Sequence, residues 1–258
     1  SETTPGYGAA LRRGFMEARG NYIIMADADD SYDFRLLGVF IEKLFDGWDL
    51  VMGSRLKGLI APGAMPWLHR YFGTPVLTWI INRLYGSNIS DANCGMRGFS
   101  KRALSLMDLR TTGMELASEM VIRSAKSNLK ITEVPIDFYP DGRARAPHLR
   151  SFRDGWRHLA FILSMSPENI FIKPGLVIST LSFLISLAML VVGRVNLGNL
   201  SVSHNTMVVT IMMAVVGIHI TYVGIYAKLF TYSRGYLEET MGSRLLLKFS
   251  RLEVGLLI

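Results

Sequence analysis

Tyr22-Ile23-Ile24-Met25-Ala26-Asp27-Ala28-Asp29-Asp30-Ser31 is the stretch on which the reading of this chain turns. Its first five residues form a short apolar run without alternation, the pattern of a strand buried on both faces of a parallel sheet. The run stops at Asp27, Asp29 and Asp30, so the strand delivers three carboxylates to its C-terminal edge. Carboxylates this close repel one another unless a cation or a ring of donors neutralises them, and a divalent metal is the economical answer. A calcium loop would also use alternating residues such as Asp27, Asp29, Ser31 and Asp33. It fails here, because its sixth position would be Tyr32 instead of Gly and its twelfth Gly38 instead of Glu. A helix-capping role for Asp30 or Ser31 leaves Asp27 and Asp29 unexplained.

Working outward, Ala9, Ala10, Leu11, Phe15 and Ala18 predict a helix before the strand. Phe34, Leu37, Phe40, Ile41, Leu44 and Phe45 predict another after it. Asp49 to Gly53 reads as a second strand ending at Ser54-Arg55, and this alternation predicts an α/β fold with a largely parallel sheet. Lys57 to Pro66, broken by Gly58, Pro62 and Gly63, predicts a flexible loop, and Trp67 to Tyr85 a long helix. Open α/β sheets bind ligands at strand ends, which places that loop over a site. Gly86 to Phe99 is turn-rich, Glu115 to Ser127 reads as a helix and Lys130 to Phe138 as a strand. Glu115 and Glu119, at i and i+4, face either the site or solvent. The α/β domain is expected to span residues 1–150.

The whole chain has 258 residues, half of them hydrophobic and 19% charged, with 28 Lys+Arg against 21 Asp+Glu. Its mean hydropathy of +0.27 excludes a disordered tail, and the apolar excess lies in the last third. Gly175 to Gly193 and Thr206 to Ala227 hold no Asp, Glu, Lys or Arg. At about 1.5 Å per residue each approaches or exceeds the ~30 Å of a bilayer core, which predicts two transmembrane helices within residues 174–228. Residues 151–173 are expected to be juxtamembrane: Phe152, Trp156, Leu159 and Leu163 share one helical face, with Arg153, Asp154, Arg157 and His158 away from it. Arg194 to Asn205 carries one basic residue, against four from Arg150 to Lys173 and five from Lys228 to Arg251. The positive-inside rule therefore puts the connection outside and both flanks in the cytoplasm, and much of the +7 charge is explained without nucleic acid. His219, within the second span, is expected to be neutral and to face a neighbouring helix. A lone cysteine, Cys94, excludes an internal disulfide framework and suits a reducing compartment. The chain opens at Ser1 without an initiator Met and ends in apolar Leu252 to Ile258. It is therefore expected to belong to a longer protein, residues 229–258 being a cytoplasmic segment that leads to a further span.

Several motifs in order resemble one family: Gly6-Tyr-Gly-Ala-Ala-Leu-Arg-Arg-Gly14, Ala18-Arg-Gly20, Met25-Ala-Asp-Ala-Asp29, Val51-Met-Gly-Ser-Arg55, Ser90-Asp-Ala-Asn-Cys-Gly-Met-Arg-Gly-Phe99 and Glu133-Val-Pro-Ile136. Together they are similar to the family 2 glycosyltransferases, and within them to the polyprenyl-phosphate, dolichol-phosphate mannose synthase-like group. The resemblance implies a partial GT-A (Rossmann-like) domain, whose opening nucleotide-binding strand has no counterpart here. It implies that Asp27 and Asp29 hold Mg²⁺ or Mn²⁺ on the diphosphate of a UDP- or GDP-sugar, and that Asp91 joins Asp29 as an acidic catalytic residue. It also implies that Arg55, Arg70 and Arg143 bind the phosphate of a polyprenyl acceptor, undecaprenyl or dolichyl. After Arg143, however, Ala-Arg-Ala-Pro-His stands where the family has Gly-x-Ser-Lys. The implied activity is inverting sugar transfer at the cytoplasmic face of a bacterial or archaeal plasma membrane, with the lipid bilayer as partner and homo-oligomerisation left open. A processive polysaccharide synthase would show Gln-x-x-Arg-Trp, which is absent. A non-catalytic membrane-anchored binding module is the alternative of another class, and a transporter is disfavoured by the uncharged spans.

Overall fold

The computed structural model describes residues 5–142, 151–193, 195–197, 200–202 and 204–233. It divides into two compact units, Ser1–Ile162 and Leu163–Ile258. The first contains α1 (Tyr7–Glu17), β1 (Tyr22–Met25), a 3₁₀ turn (Phe34–Leu36), α2 (Leu37–Phe45), β2 (Leu50–Ser54) and a π-helical turn (His69–Gly73). α3 (Thr74–Tyr85), β3 (Arg97–Ser100), α4 (Lys101–Met107), α5 (Leu116–Lys126), β4 (Ile131–Pro135) and α6 (Ser151–Ser164) follow, α6 running two residues past the unit's end.

The sheet order is β1-β3-β2-β4, with β2 and β4 parallel and β3 antiparallel to both of its neighbours. The sheet is thus mixed, where the sequence pattern predicts a largely parallel one. β3 is only four residues long, contains Arg97 and Gly98, and follows a turn-rich run, so it lacks the apolar signature of a buried strand. Tertiary packing forms it. A Cβ at Gly98 would sit 3.2 Å from Leu44 and 3.5 Å from Phe40, which shows how closely α2 covers this strand. Phe40 and Leu44 join Val51, Cys94, Met96, Val134 and Ile136 in the core, and every residue of β2 is buried.

Glu119 is fully buried and lies on no solvated face. It accepts hydrogen bonds from the N–H groups of Arg110 and Thr111, from Thr111 Oγ1 at 2.7 Å and from Arg123 Nε at 2.8 Å. This saturated carboxylate fixes the segment before α5, and α1 leans on that segment: Ala9 N–H donates to Thr112 O, and Arg12 to Arg110 O. Glu115 pairs with Arg157 of α6 at 2.8 Å, and Ser118 Oγ meets His158 Nδ1 at 3.2 Å. The cationic side of α6 therefore packs on α5, while Trp156 stays exposed.

The second unit is a helical hairpin of α7 (Lys173–Val192) and α8 (His204–Ser233), preceded by a π-helical turn (Glu168–Ile172) and joined by the antiparallel strands β5 (Val195–Leu197) and β6 (Leu200–Val202). Residues Glu168–Val191 and Asn205–Ser233 are long and apolar enough to cross a membrane, each with a mean hydropathy of 2.1. Small residues let the helices touch: a Cβ at Gly217 would lie 2.5 Å from Ser179 N and 2.8 Å from Gly175 O. Ser186 and Thr210 share a hydrogen bond across the contact, and Lys228 pairs with Glu168 at its base. His219 does not face the partner helix. Its exposed ring donates from Nδ1 to Val215 O on its own helix, satisfying the ring locally. The terminal segment 234–258, with its expected further span, lies outside the described residues.

Three outcomes follow from this packing. Gly217→Val should wedge the hairpin apart and cost about 1–3 kcal/mol, seen as a lower thermal midpoint in detergent. Gly14→Ala, where a Cβ meets nothing within 4 Å, should leave that midpoint unchanged or raise it. Burial pushes the Cys94 thiol up to about 12, so maleimide should label it at neutral pH only after denaturation.

Candidate functional site

Because β1, β2 and β4 run one way and β3 the other, the segments after Met25, Ser54 and Pro135 and the segment before Arg97 all reach the same edge of the sheet. The carboxylates of the first segment are arranged individually. Asp27 is half-buried and accepts a hydrogen bond from Tyr7 Oη at 3.0 Å. Burial, and then the Asp27 charge, hold the Tyr7 hydroxyl above its ordinary range, so it stays a donor. Gly95 lies against the same carboxylate: any Cβ there would overlap Asp27 Oδ2, and its N–H donates to Tyr32 Oη at 3.0 Å. Asp29 Oδ1 accepts from Ser31 N–H and from Ser31 Oγ, which turns the chain back. Asp30 is exposed and sits at φ +61°, a left-handed conformation that Asp tolerates. Gly142 N–H donates to Asp29 O and Tyr139 N–H to Ser31 O, tying this turn to the segment beyond β4.

At the end of β2, Arg55 and Asp91 form one two-pronged ion pair, Nε to Oδ2 at 2.7 Å and Nη2 to Oδ1 at 2.9 Å. Asp91 is fully buried and also accepts from the N–H groups of Arg55 and Asn93. Burial disfavours the Arg55 charge, but the hydrogen bonds and charge of Asp91 outweigh it and hold the guanidinium above its usual range. The Phe138 ring lies 5.1 Å from it. Two residues that the sequence sets in different roles, an acidic catalytic residue and an acceptor-binding cation, are therefore partners.

Around this pair stands a polar frame that sequence patterns alone do not reveal. Glu133 of β4 accepts from Ser90 N–H at 2.6 Å and from Lys57 Nζ at 2.7 Å, and Ser54 Oγ meets Ser90 Oγ. Arg97 is fully buried and donates to the carbonyls of Ala92, Cys94 and Ala117 at 2.6–2.9 Å, which folds the 91–97 loop around it. Arg70 stands on the π-helical turn, its guanidinium 5.3 Å from the Tyr71 ring. Beside it, burial and then the Arg55 charge push the His69 imidazole below its ordinary pKa. Arg143 lies outside the described residues. The only advance signs of Tyr7, Gly95, Arg97 and Glu133 are the short motifs that contain them.

Among the described residues no three His, Cys, Asp or Glu side chains converge as a complete metal cage. Asp27 and Asp29 instead offer two hard oxygen ligands on one strand end. That donor set fits Mg²⁺ or Mn²⁺, which keep several positions for water and for substrate phosphates.

Residues 1–106 match the family described as Glycosyl transferase family 2. The low-salt glycan biosynthesis hexosyltransferase Agl6 of Haloferax volcanii is 45% identical over 180 residues, which are 69% of this chain and 43% of that protein. The dolichyl-phosphate hexose transferase of the same organism is 31% identical over 52% of this chain and 57% of its own length. Glycosyltransferase AglJ, also from that organism, is 29% identical over 58% and 49%, respectively. The chain thus spans about half the length of the curated relatives it matches. Glucosyl-3-phosphoglycerate synthase from Mycobacterium tuberculosis, in complex with Mn²⁺, UDP and glucosyl-3-phosphoglycerate, superposes with a TM-score of 0.48 at 18% identity, over 64% of this chain and 56% of that one. Residues 1–106, within the α/β unit, are therefore a glycosyl transferase family 2 domain, and the chain is similar to archaeal hexosyltransferases.

Proposed function

We propose that this chain transfers a sugar from a UDP- or GDP-sugar to a polyprenyl phosphate, with a GT-A-type α/β domain on the cytoplasmic face of a membrane that α7 and α8 cross. The observation that carries this reading is the 91–97 loop, which presses Gly95 on Asp27 and presents Asp91 to Arg55. A donor diphosphate at the first position and an acceptor phosphate near the second would lie one short loop apart.

A divalent cation held by Asp27 and Asp29 would offset charge growing on the leaving diphosphate. The acceptor is a phosphate monoester with a second pKa of about 6, so it is already nucleophilic at neutral pH and no strong general base is required. The work of the protein is alignment and charge. Tyr7 and Gly95 fix the Asp27 carboxylate, Ser31 fixes Asp29, and the buried Arg55–Asp91 pair sets a rigid floor. Arg70, whose described contact is an aromatic ring, is the cation best placed to engage the acceptor phosphate. A single displacement in this arrangement inverts the anomeric centre.

The test is transfer of labelled hexose from UDP- and GDP-sugars to a short-chain polyprenyl phosphate in the presence of Mn²⁺. Full activity in EDTA, or polymer formed without the lipid phosphate, would overturn the reading. Asp29→Asn and Gly95→Ala should both abolish cation-dependent donor binding, the first by removing a ligand charge and the second by displacing Asp27.

The two arginines should separate. Arg70→Ala should lower kcat/KM for the acceptor about ten- to a hundredfold, the loss of a charged hydrogen bond worth about 1.5–3 kcal/mol, with donor affinity unchanged. Arg55→Ala leaves Asp91 buried and unpaired, so it should cost about 3–5 kcal/mol of stability, part of which Asp91→Asn restores. Thermal unfolding beside steady-state kinetics reads both effects.

A further inference from the structure

Among the described residues, three buried side-chain polar atoms lack a hydrogen-bond partner: Arg123 Nη2 and Ser124 Oγ on α5, and Asn93 Oδ1. The third stands on the 91–97 loop at the strand edge. A buried amide oxygen left without a donor is costly, and its presence calls for a physical reason. The loop gives this one no freedom to find a donor by moving. Ala92 N–H donates to Thr78 Oγ1, Asn93 N–H to Asp91 Oδ1 and Gly95 N–H to Tyr32 Oη, while Arg97 holds the carbonyls of Ala92 and Cys94. Asp91 and Arg55 are committed to each other. From Asp91 to Phe99 every residue but Asn93 is buried, so Asn93 is the point at which this run opens to solvent.

Its place in the loop limits what it can meet. Two residues before it, Asp91 grips Arg55, and two residues after it, Gly95 lies against Asp27. In the proposed reaction the acceptor phosphate stands near the first of these positions and the donor diphosphate at the second. The transferred sugar must lie between them, since its anomeric carbon is bonded to the leaving oxygen and is approached in line by the attacking one. The chemistry of the amide oxygen narrows the choice further. It accepts and does not donate, so it repels the hydrogen-free oxygens of a diphosphate or an ionised phosphate monoester and suits an O–H. Of the groups brought to that position, the sugar hydroxyls supply one.

We infer that Asn93 Oδ1 accepts a hydrogen bond from a hydroxyl of the sugar under transfer, which makes Asn93 a residue that sets donor-sugar specificity. The inference rests on the sugar-transfer reading of the site and deepens it. A fixed acceptor of this kind rejects a sugar that lacks the matching hydroxyl, because the oxygen is then left buried and unpaired. It is indifferent to hydroxyls elsewhere on the ring.

The test is calorimetric titration of the full chain in detergent with Mn²⁺. One series compares UDP, UDP-glucose and each monodeoxy form of UDP-glucose, and a second does the same with GDP and GDP-mannose. The wild-type protein should bind one monodeoxy sugar nucleotide about tenfold or more weakly than its parent, and Asn93→Ala should bind that pair alike. Affinity for the bare nucleotide diphosphate should be unchanged in the variant, which also reports an intact fold. If Asn93→Ala weakens the bare nucleotide as much as the sugar nucleotide, the oxygen serves the cation, the diphosphate or the ribose, and the inference is overturned. Equal affinity of the wild-type protein for every monodeoxy form overturns it as well. If the protein binds and transfers sugar while Asn93→Ala discriminates as the wild type does, the inference falls and the proposed function stands. If the wild-type protein binds neither series, both fall.

Discussion

A buried guanidinium whose hydrogen bonds run to backbone carbonyls holds this active edge together. Arg97 is sealed from water, and its charge is tolerated because Ala92, Cys94 and Ala117 turn their carbonyl oxygens onto it. Burial pushes its pKa down, yet an arginine starts so high that it stays charged. The 91–97 loop therefore has little choice of conformation, since another path would strand the charge. From that loop come the placement of Asp91 against Arg55, the approach of Gly95 to Asp27, and the entry of β3 between β1 and β2.

Buried charge is a poor source of stability and a good source of uniqueness. The Arg55–Asp91 pair, the Glu133 cluster and the Glu119 cluster each saturate a carboxylate with several donors; the first two join segments far apart in sequence, and the third closes on its own neighbourhood between Arg110 and Arg123. Replacing any one partner leaves a desolvated group behind, so the three clusters specify one arrangement of loops around the strand ends more than they add to the free energy of folding. The apolar core under them, from Phe40 to Ile136, supplies that.

How much of this was legible beforehand depended on the range of the forces involved. β1, β2 and α2 carry their own periodicity and appear where the apolar pattern places them, as do α7 and α8. Asp27 and Asp29 were visible because the end of an apolar run marks a strand edge. β3 was hidden because its identity comes from neighbours on both sides and not from its four residues. Glu119 was ambiguous for a similar reason: two acids one turn apart look alike on a helical projection, and only the donors at Arg110, Thr111 and Arg123 distinguish a buried hub from a wet face. The union of Arg55 with Asp91, 36 residues apart, has no local signature at all.

β1 is bordered by β3 on one side only, so among the described residues its outer row of peptide groups has no strand partner. Tyr22 and Phe45 stack edge to face beside that border, both exposed. An unpaired strand edge is a template on which a further strand can add, from the same polypeptide or from a second molecule. The strand that leads to Asp27 and Asp29 is therefore also the one whose outer edge offers a register for an added strand. A lysine in place of Tyr22 would blunt the rim without touching the carboxylates at its far end.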